Sequence, residues 1–103
     1  QPGVSAYSAS KGAIISLAKS LALELVQEDV RVNCVCPGVV RTPMTEGLAE
    51  SISTEEFHAI ETMHPLGLGE PEDVARSISF LLSPISRWIT GTALSVDGGY
   101  TAQ

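Results

Sequence analysis

Val30-Arg31-Val32-Asn33-Cys34-Val35-Cys36, followed at once by Pro37-Gly38, is the stretch on which the fold of this chain turns. A valine-rich run closed by a Pro-Gly stop reads as a short strand. Before it stands an apolar-rich segment free of Gly and Pro, from Ala13 to Val26. Ile14, Leu17, Ala18, Leu21 and Leu25 recur there at helical spacing, and Ile15, Ala22 and Val26 widen the apolar face. So broad a face predicts a helix buried along more than one side, packed on a sheet and meeting another helix. Ser5 reads as its N-cap, Pro2 and Gly3 as the loop before it, and Gln27-Glu28-Asp29 as its end.

Beyond the strand the pattern loosens, from Val39 to about Gly69. Thr42-Pro43-Met44 reads as a turn or helix start, and Thr45 to Leu48 as one helical turn. Ser53-Thr54-Glu55-Glu56 opens a helix, its acidic residues suited to the positive end of the dipole. Pro65-Leu66-Gly67-Leu68-Gly69 is loop. Helix resumes at Pro71-Glu72-Asp73, with Val74, Ala75, Ile78, Leu81 and Leu82 as its apolar stripe and Ser83-Pro84 as its stop. Thr92 to Val96 forms a second strand, closed by Asp97-Gly98-Gly99. The order is helix, strand, excursion, helix, strand. That is the back end of a βαβ repeat, and it predicts an α/β fold with two parallel strands and about three main helices.

At 103 residues the chain is one domain or less. Its 44% apolar and 17% charged content describes a folded protein rather than a disordered one. A net charge of −6 without a Lys/Arg cluster argues against nucleic-acid binding. Apolar stretches are interrupted by Lys, Glu, Ser or Arg before they reach membrane-spanning length, so no membrane partner is expected. No basic-then-apolar leader opens the chain, and cytoplasmic residence is expected. The first residue is Gln1 rather than Met, which suggests a processed, truncated or partly observed polypeptide. Cys34 and Cys36 would share one strand face, where a disulfide between them is strained, and they read as small buried apolar side chains in a reducing compartment. His58 is expected on an exposed helix face and His64 in the loop before Pro65, neither with a catalytic partner and neither at metal-ligand spacing from the cysteines. No metal site is expected.

The chemistry begins at Tyr7-Ser8-Ala9-Ser10-Lys11. Residues four apart on a helix sit one above the other. A phenol and an ammonium so held form a proton-transfer pair, since positive charge favours phenolate over a phenol with a reference pKa of about 10. A general acid works best with its pKa near the operating pH.

Together these motifs resemble the short-chain dehydrogenase/reductase family. Tyr7 to Lys11, Arg31 to Gly38, Val40-Arg41-Thr42, Pro65-Leu66-Gly67, Gly69 to Ala75, and Thr90-Gly91 through Val96-Asp97-Gly98-Gly99-Tyr100 follow its pattern in order and spacing over essentially all 103 residues. The ending resembles the classical 3-oxoacyl-carrier-protein reductase and alcohol dehydrogenase branches. The resemblance implies the C-terminal part of a Rossmann-like, doubly wound parallel sheet, with residues 43–68 as the substrate loop or lid and the N-terminal dinucleotide-binding half absent. It implies NAD or NADP as cofactor and a small carbonyl or alcohol as substrate. Tyr7 would be the catalytic acid/base, and Lys11 would hydrogen-bond the nicotinamide ribose. Both would also touch the cofactor, with Pro37, Gly38, Val40 and Thr42. The family's glycine-rich pyrophosphate loop, its NAD/NADP-selecting residue, its carbonyl-polarising serine and its active-site asparagine would lie upstream, and none is found here. Gly67-Leu68-Gly69 is shorter than the matching loop of many relatives.

Met44, Leu48, Ile52, Phe57 and Met63 read either as an apolar pocket or as the inner side of two short helices, and the second reading is preferred. Asn33 is expected to be a structural hydrogen-bonder, Arg76 and Arg87 surface or interface groups, and Trp88 a packing or subunit-contact residue. Two strands alone leave an uncovered edge and helix face, so a homo-oligomer is expected, a dimer or tetramer in the parent family. The rival expectation is a truncated, catalytically silent chain acting as an oligomerisation or interaction module.

Overall fold

Alanine, leucine and serine dominate the first twenty-odd residues, and good helix formers outweigh the single Gly12. In the computed structural model, which describes residues 4–103, they form α1 (Val4–Leu25). Ser5 lies inside this helix and is not its cap; the expected Pro2-Gly3 loop lies outside the described residues. α1 passes into a 3-10 turn at Val26–Glu28, and Asp29 then takes a left-handed conformation with φ 60°, its N–H donating to Val26 O at 3.1 Å. Asp tolerates this region better than most residues, so the helix ends without a glycine.

The expected burial of α1 along more than one side is not met within this chain. Among the described residues of α1 only Ala18 and Ala22 are buried, at 6% and 3% exposure, while Ile15, Leu21 and Leu25 are half-buried. Ile14, Leu17, Leu23 and Val26 face out. The buried stripe is narrow because two alanines, one turn apart, allow close approach. A Cβ built on Gly91 would sit 3.5 Å from Ala22 Cβ, and Gly91 has φ +71°.

β1 (Cys34–Pro37) starts four residues later than the valine pattern predicts. Residues 31–33 are bound largely through side chains, with one backbone bond, Gly91 N to Val32 O at 2.7 Å, ahead of the regular ladder. The Arg31 guanidinium donates to Ile89 O at 3.0 Å and to Leu81 O at 2.7 Å. Val32 N donates to Thr90 Oγ1 at 3.0 Å. Asn33 accepts from Thr92 N and donates to Ile89 O, as expected of a structural hydrogen-bonder. Regular pairing begins with Cys34 N to Thr92 O and reaches Gly38 N to Val96 O, four residues further along both strands. The register advances in the same direction on each, so β1 and β2 (Ala93–Val96) form a two-stranded parallel sheet. Cys34 and Cys36 are half-buried rather than buried, and neither is in a disulfide.

Among the described residues four α-helices occur where about three main ones are expected, because the excursion holds two full helices. In α2 (Pro43–Ser51), Thr42 is the N-cap, Pro43 opens the helix, and Thr42 and Thr45 form a reciprocal capping box. In α3 (Thr54–Thr62), Ser53 and Glu56 do the same. Nine residues are too few for propensity alone to hold a helix, and the reciprocal caps supply the missing partners. α4 (Pro71–Leu82) begins at its proline as read, but only Leu81 of its stripe is buried, whereas Ala75, Ile78 and Leu82 are exposed. Ser83 then caps the 3-10 turn Pro84–Ser86.

The chain divides into two compact units, Gln1–Cys34 with Leu81–Leu94, and Val35–Phe80 with Ser95–Gln103. No helix among the described residues is long and apolar enough to cross a membrane.

Candidate active site

Tyr7 and Lys11 belong to the first unit. Both lie on α1, four residues apart, so they are stacked about one helical turn from each other on one face. Tyr7 is 67% exposed and Lys11 half-buried, which leaves the phenol hydroxyl open to a reactant. Trp88, in the same unit, is 89% exposed with the Arg87 guanidinium 6.0 Å from its ring centroid, so the described residues leave most of it uncovered. Arg76 and Arg87 are exposed, as expected.

Pro37, Gly38, Val40 and Thr42 belong to the second unit. Gly38 follows β1 directly, and its N–H is used by Val96 O. A side chain does not fit there: a Cβ would stand 2.9 Å from both Cα and Cβ of Asp97 and 3.0 Å from His64 Cδ2. Val40 forms an isolated parallel bridge with Gly69, built from Gly69 N to Val39 O and Arg41 N to Gly69 O. In such a bridge the peptide groups of Val40 itself point away from Gly69. Its carbonyl accepts from Thr45 Oγ1 at 2.8 Å, and its N–H has no partner among the described residues. A cleft of about 610 Å³ lies beside this segment, lined by Val39, Val40, Gly67, Gly69, Ser95 and Gly98 among others. Thr42 is committed to the helix start, its N–H donating to Thr45 Oγ1 at 2.6 Å and its hydroxyl accepting from Thr45 N at 3.3 Å. Among the described residues its hydroxyl proton meets only the 3.4 Å contact with Thr45 Oγ1.

The apolar side chains of the excursion follow the preferred reading, the inner side of two short helices, only in part, and none of the five lines the cleft beside Val40. Ile52 and Phe57 are half-buried, while Met44 at 85% exposure, Leu48 and Met63 face outward. His58 is exposed on α3 as expected. His64 is the residue that sequence reading misses. It is 5% exposed, with Nε2 accepting from Val39 N at 3.2 Å and Nδ1 2.9 Å from Ile60 O. No spacing rule marks it, since both partners are backbone groups, one of them 25 residues away.

Asp97 closes β2 and organises the turn that follows. Its carboxylate accepts from Thr101 Oγ1 at 2.7 Å, Gly99 N at 3.1 Å and Thr101 N at 3.2 Å. The Thr101 hydroxyl is the main cause that holds the carboxyl below its ordinary value of 3.8; burial opposes it, and the Gly99 and Thr101 amides and the nearby His64 add to the lowering. A depressed folded value makes this contribution full above the ordinary carboxylate value and removes it as pH falls through the folded one. Asp97→Asn should therefore flatten the acid limb of stability below about pH 4, read by denaturant unfolding at stepped pH. An unchanged acid limb would exclude that role.

A family model described as enoyl-(acyl carrier protein) reductase matches residues 1–101. A short-chain dehydrogenase family protein from Francisella tularensis superposes with a TM-score of 0.86 at 41% identity, over 100% of this chain and 46% of that one. The chain belongs to the short-chain dehydrogenase/reductase family. Another short-chain dehydrogenase/reductase relative, Oxidoreductase UcpA of Salmonella typhimurium, is 44% identical over 97% of this chain and 40% of its own length. The structure of a 4-hydroxyisoleucine dehydrogenase mutant complexed with NADH and succinate has a TM-score of 0.89 at 38% identity, over 100% of this chain and 42% of that one. The chain thus spans about two fifths of the length of these short-chain dehydrogenase/reductase relatives. Membership accounts for the Rossmann-like α/β fold.

Proposed function

We propose that this chain is the C-terminal part of an NAD- or NADP-dependent carbonyl reductase or alcohol dehydrogenase, with residues 43–68 as its substrate loop. The observation that carries the reading is the stacking of Tyr7 and Lys11 one turn apart on α1, the phenol exposed and the ammonium half-buried. The donor chemistry fits the cofactor. Val40 offers an unpartnered N–H to a carboxamide oxygen, and Gly38 leaves the backbone there without a side chain. Lys11 supplies a cationic donor for ribose hydroxyls. Pro37 and Thr42 flank this segment.

When bound, a nicotinamide cofactor supplies the hydride. Tyr7 supplies the proton: its Oη–H hydrogen-bonds the substrate carbonyl oxygen and transfers the proton as the oxygen gains negative charge, leaving a phenolate. Hydride and proton together convert carbonyl to alcohol, and the same phenolate accepts the proton in the reverse direction. Lys11 places positive charge one turn from the phenolate. Cytoplasmic residence and a dimeric or tetrameric assembly go with this reading.

The outward-facing Ile14, Leu17, Leu23 and Val26 of α1 favour a second reading, in which the chain's contribution is association with further polypeptide rather than turnover. Titration of NADH and of NADPH into the protein, followed by loss of reduced nicotinamide on adding a small carbonyl compound, separates the two. Turnover is expected where this stretch acts with its N-terminal dinucleotide-binding portion, and the 103 residues alone are expected to be inactive. Binding of a cofactor by the chain itself would sink the association reading, and binding of neither would favour it.

A further inference from the structure

We propose that His64 is a positioning residue for the Pro37–Thr42 loop, holding the Val39 amide only while its ring is neutral with the proton on Nδ1; its relevance to the cofactor rests on the function proposed above. The tautomer follows from the partners. Val39 N–H can only donate, so Nε2 at 3.2 Å must present its lone pair. Ile60 O can only accept, so Nδ1 at 2.9 Å must carry the hydrogen. One ring therefore ties the end of α3 to the peptide between the side-chain-free Gly38 and Val40, whose N–H is unpartnered. The ring is buried, so water does not replace either bond.

His64 is held from its other sides as well. Tyr100 stacks on it at 5.2 Å between centroids with the planes tilted by 34°. Gly38 lies close enough that a Cβ would come within 3.0 Å of Cδ2. The titratable groups that face the ring are Asp97, from the turn after β2, and Tyr100, from the C-terminal 3-10 turn. Uptake of a second proton places an N–H at Nε2 against the Val39 N–H, donor facing donor. The ring can keep its bond to Ile60 O, but it must release Val39. The acid form of His64 thus frees the loop, and the neutral form fixes it.

The test uses the chain with nitrogen-15 in its histidines and backbone, followed by NMR through an acid titration. The expected result is a neutral Nδ1–H ring near pH 7, with the Val39 and Val40 amide resonances moving along the same curve as the His64 ring nitrogens. His64→Leu should speed exchange of the Val39 amide about tenfold, the size expected for one lost hydrogen bond. His64→Gln, which keeps an acceptor at that reach, should hold the rate near its original value. An Nε2–H tautomer near pH 7, or Val39 and Val40 resonances that ignore the ring, would overturn the proposal, and both are read on the unaltered protein even if a variant fails to fold. NADH added to the same samples tests the cofactor reading separately. Failure to bind at any pH, with Val39 still following the ring, counts against that reading and not against the hold of His64 on the loop.

Discussion

Tyr7→Phe should lower kcat by about 10²–10⁴-fold in the reduction of a small carbonyl compound, the range that loss of a general acid commonly causes. The substitution removes one oxygen and keeps the ring. At a position 67% exposed it should leave folding stability within about 0.5 kcal/mol of the original. A lost proton donor and an undisturbed thermal transition, measured on one preparation, would separate chemistry from folding. Lys11→Met should behave differently, raising KM for the cofactor as well as lowering kcat, because on the proposed reading it removes a ribose donor along with the charge beside the phenol. Full turnover by the phenylalanine variant would remove Tyr7 from the mechanism.

The second large effect concerns the end of β1. Gly38→Ala would put a methyl group 2.9 Å from Asp97 Cα, a backbone atom, and 3.0 Å from the buried His64 ring. Neither neighbour is the free end of a flexible chain, so the strand end itself must shift. Overpacking of this kind costs about 1–3 kcal/mol. In a chain of this size each kcal/mol lowers Tm by about 4–8 °C. Gly12→Ala and Gly47→Ala provide the internal contrast, since a Cβ at either position meets nothing within 4 Å. Both glycines lie inside helices, where alanine is favoured by about 0.5–1 kcal/mol. The three variants should therefore separate in sign. Equal Tm values for all three would contradict the packing around Gly38.

What sequence reading could reach followed from local chemistry. Pro71, Ser53 and the Asp97-Gly98-Gly99 stop were legible because caps and turns depend on residues a few positions apart. The Tyr7–Lys11 pair was legible for the same reason. The start of β1 was not, since three valines predict a strand from Val30 while the side chains of Arg31 and Asn33 bind groups more than 45 residues away. The width of the buried face on α1 was misread because apolar periodicity reports what a helix could bury, not what this chain sets against it. His64 escaped entirely, its partners being peptide groups that carry no side-chain signature.

The bonds made by Arg31 and Asn33 also divide the first unit into positions that drift freely and positions that do not. Their acceptors are the carbonyls of Leu81, Ser83 and Ile89, and their donor is the amide of Thr92. A peptide group is the same whatever residue bears it, so for these bonds residues 81, 83 and 89 can change identity without loss, and residue 92 can become anything but proline. The cost of change falls on the other side of each bond. Lysine at position 31 keeps the charge but cannot reproduce the guanidinium fork, and aspartate at position 33 keeps the acceptor for Thr92 but loses the donor to Ile89. As far as these bonds go, substitutions that look conservative at 31 and 33 should be selected against more strongly than changes at 89, whereas Leu81 stays constrained by its burial and Ser83 by its capping hydroxyl.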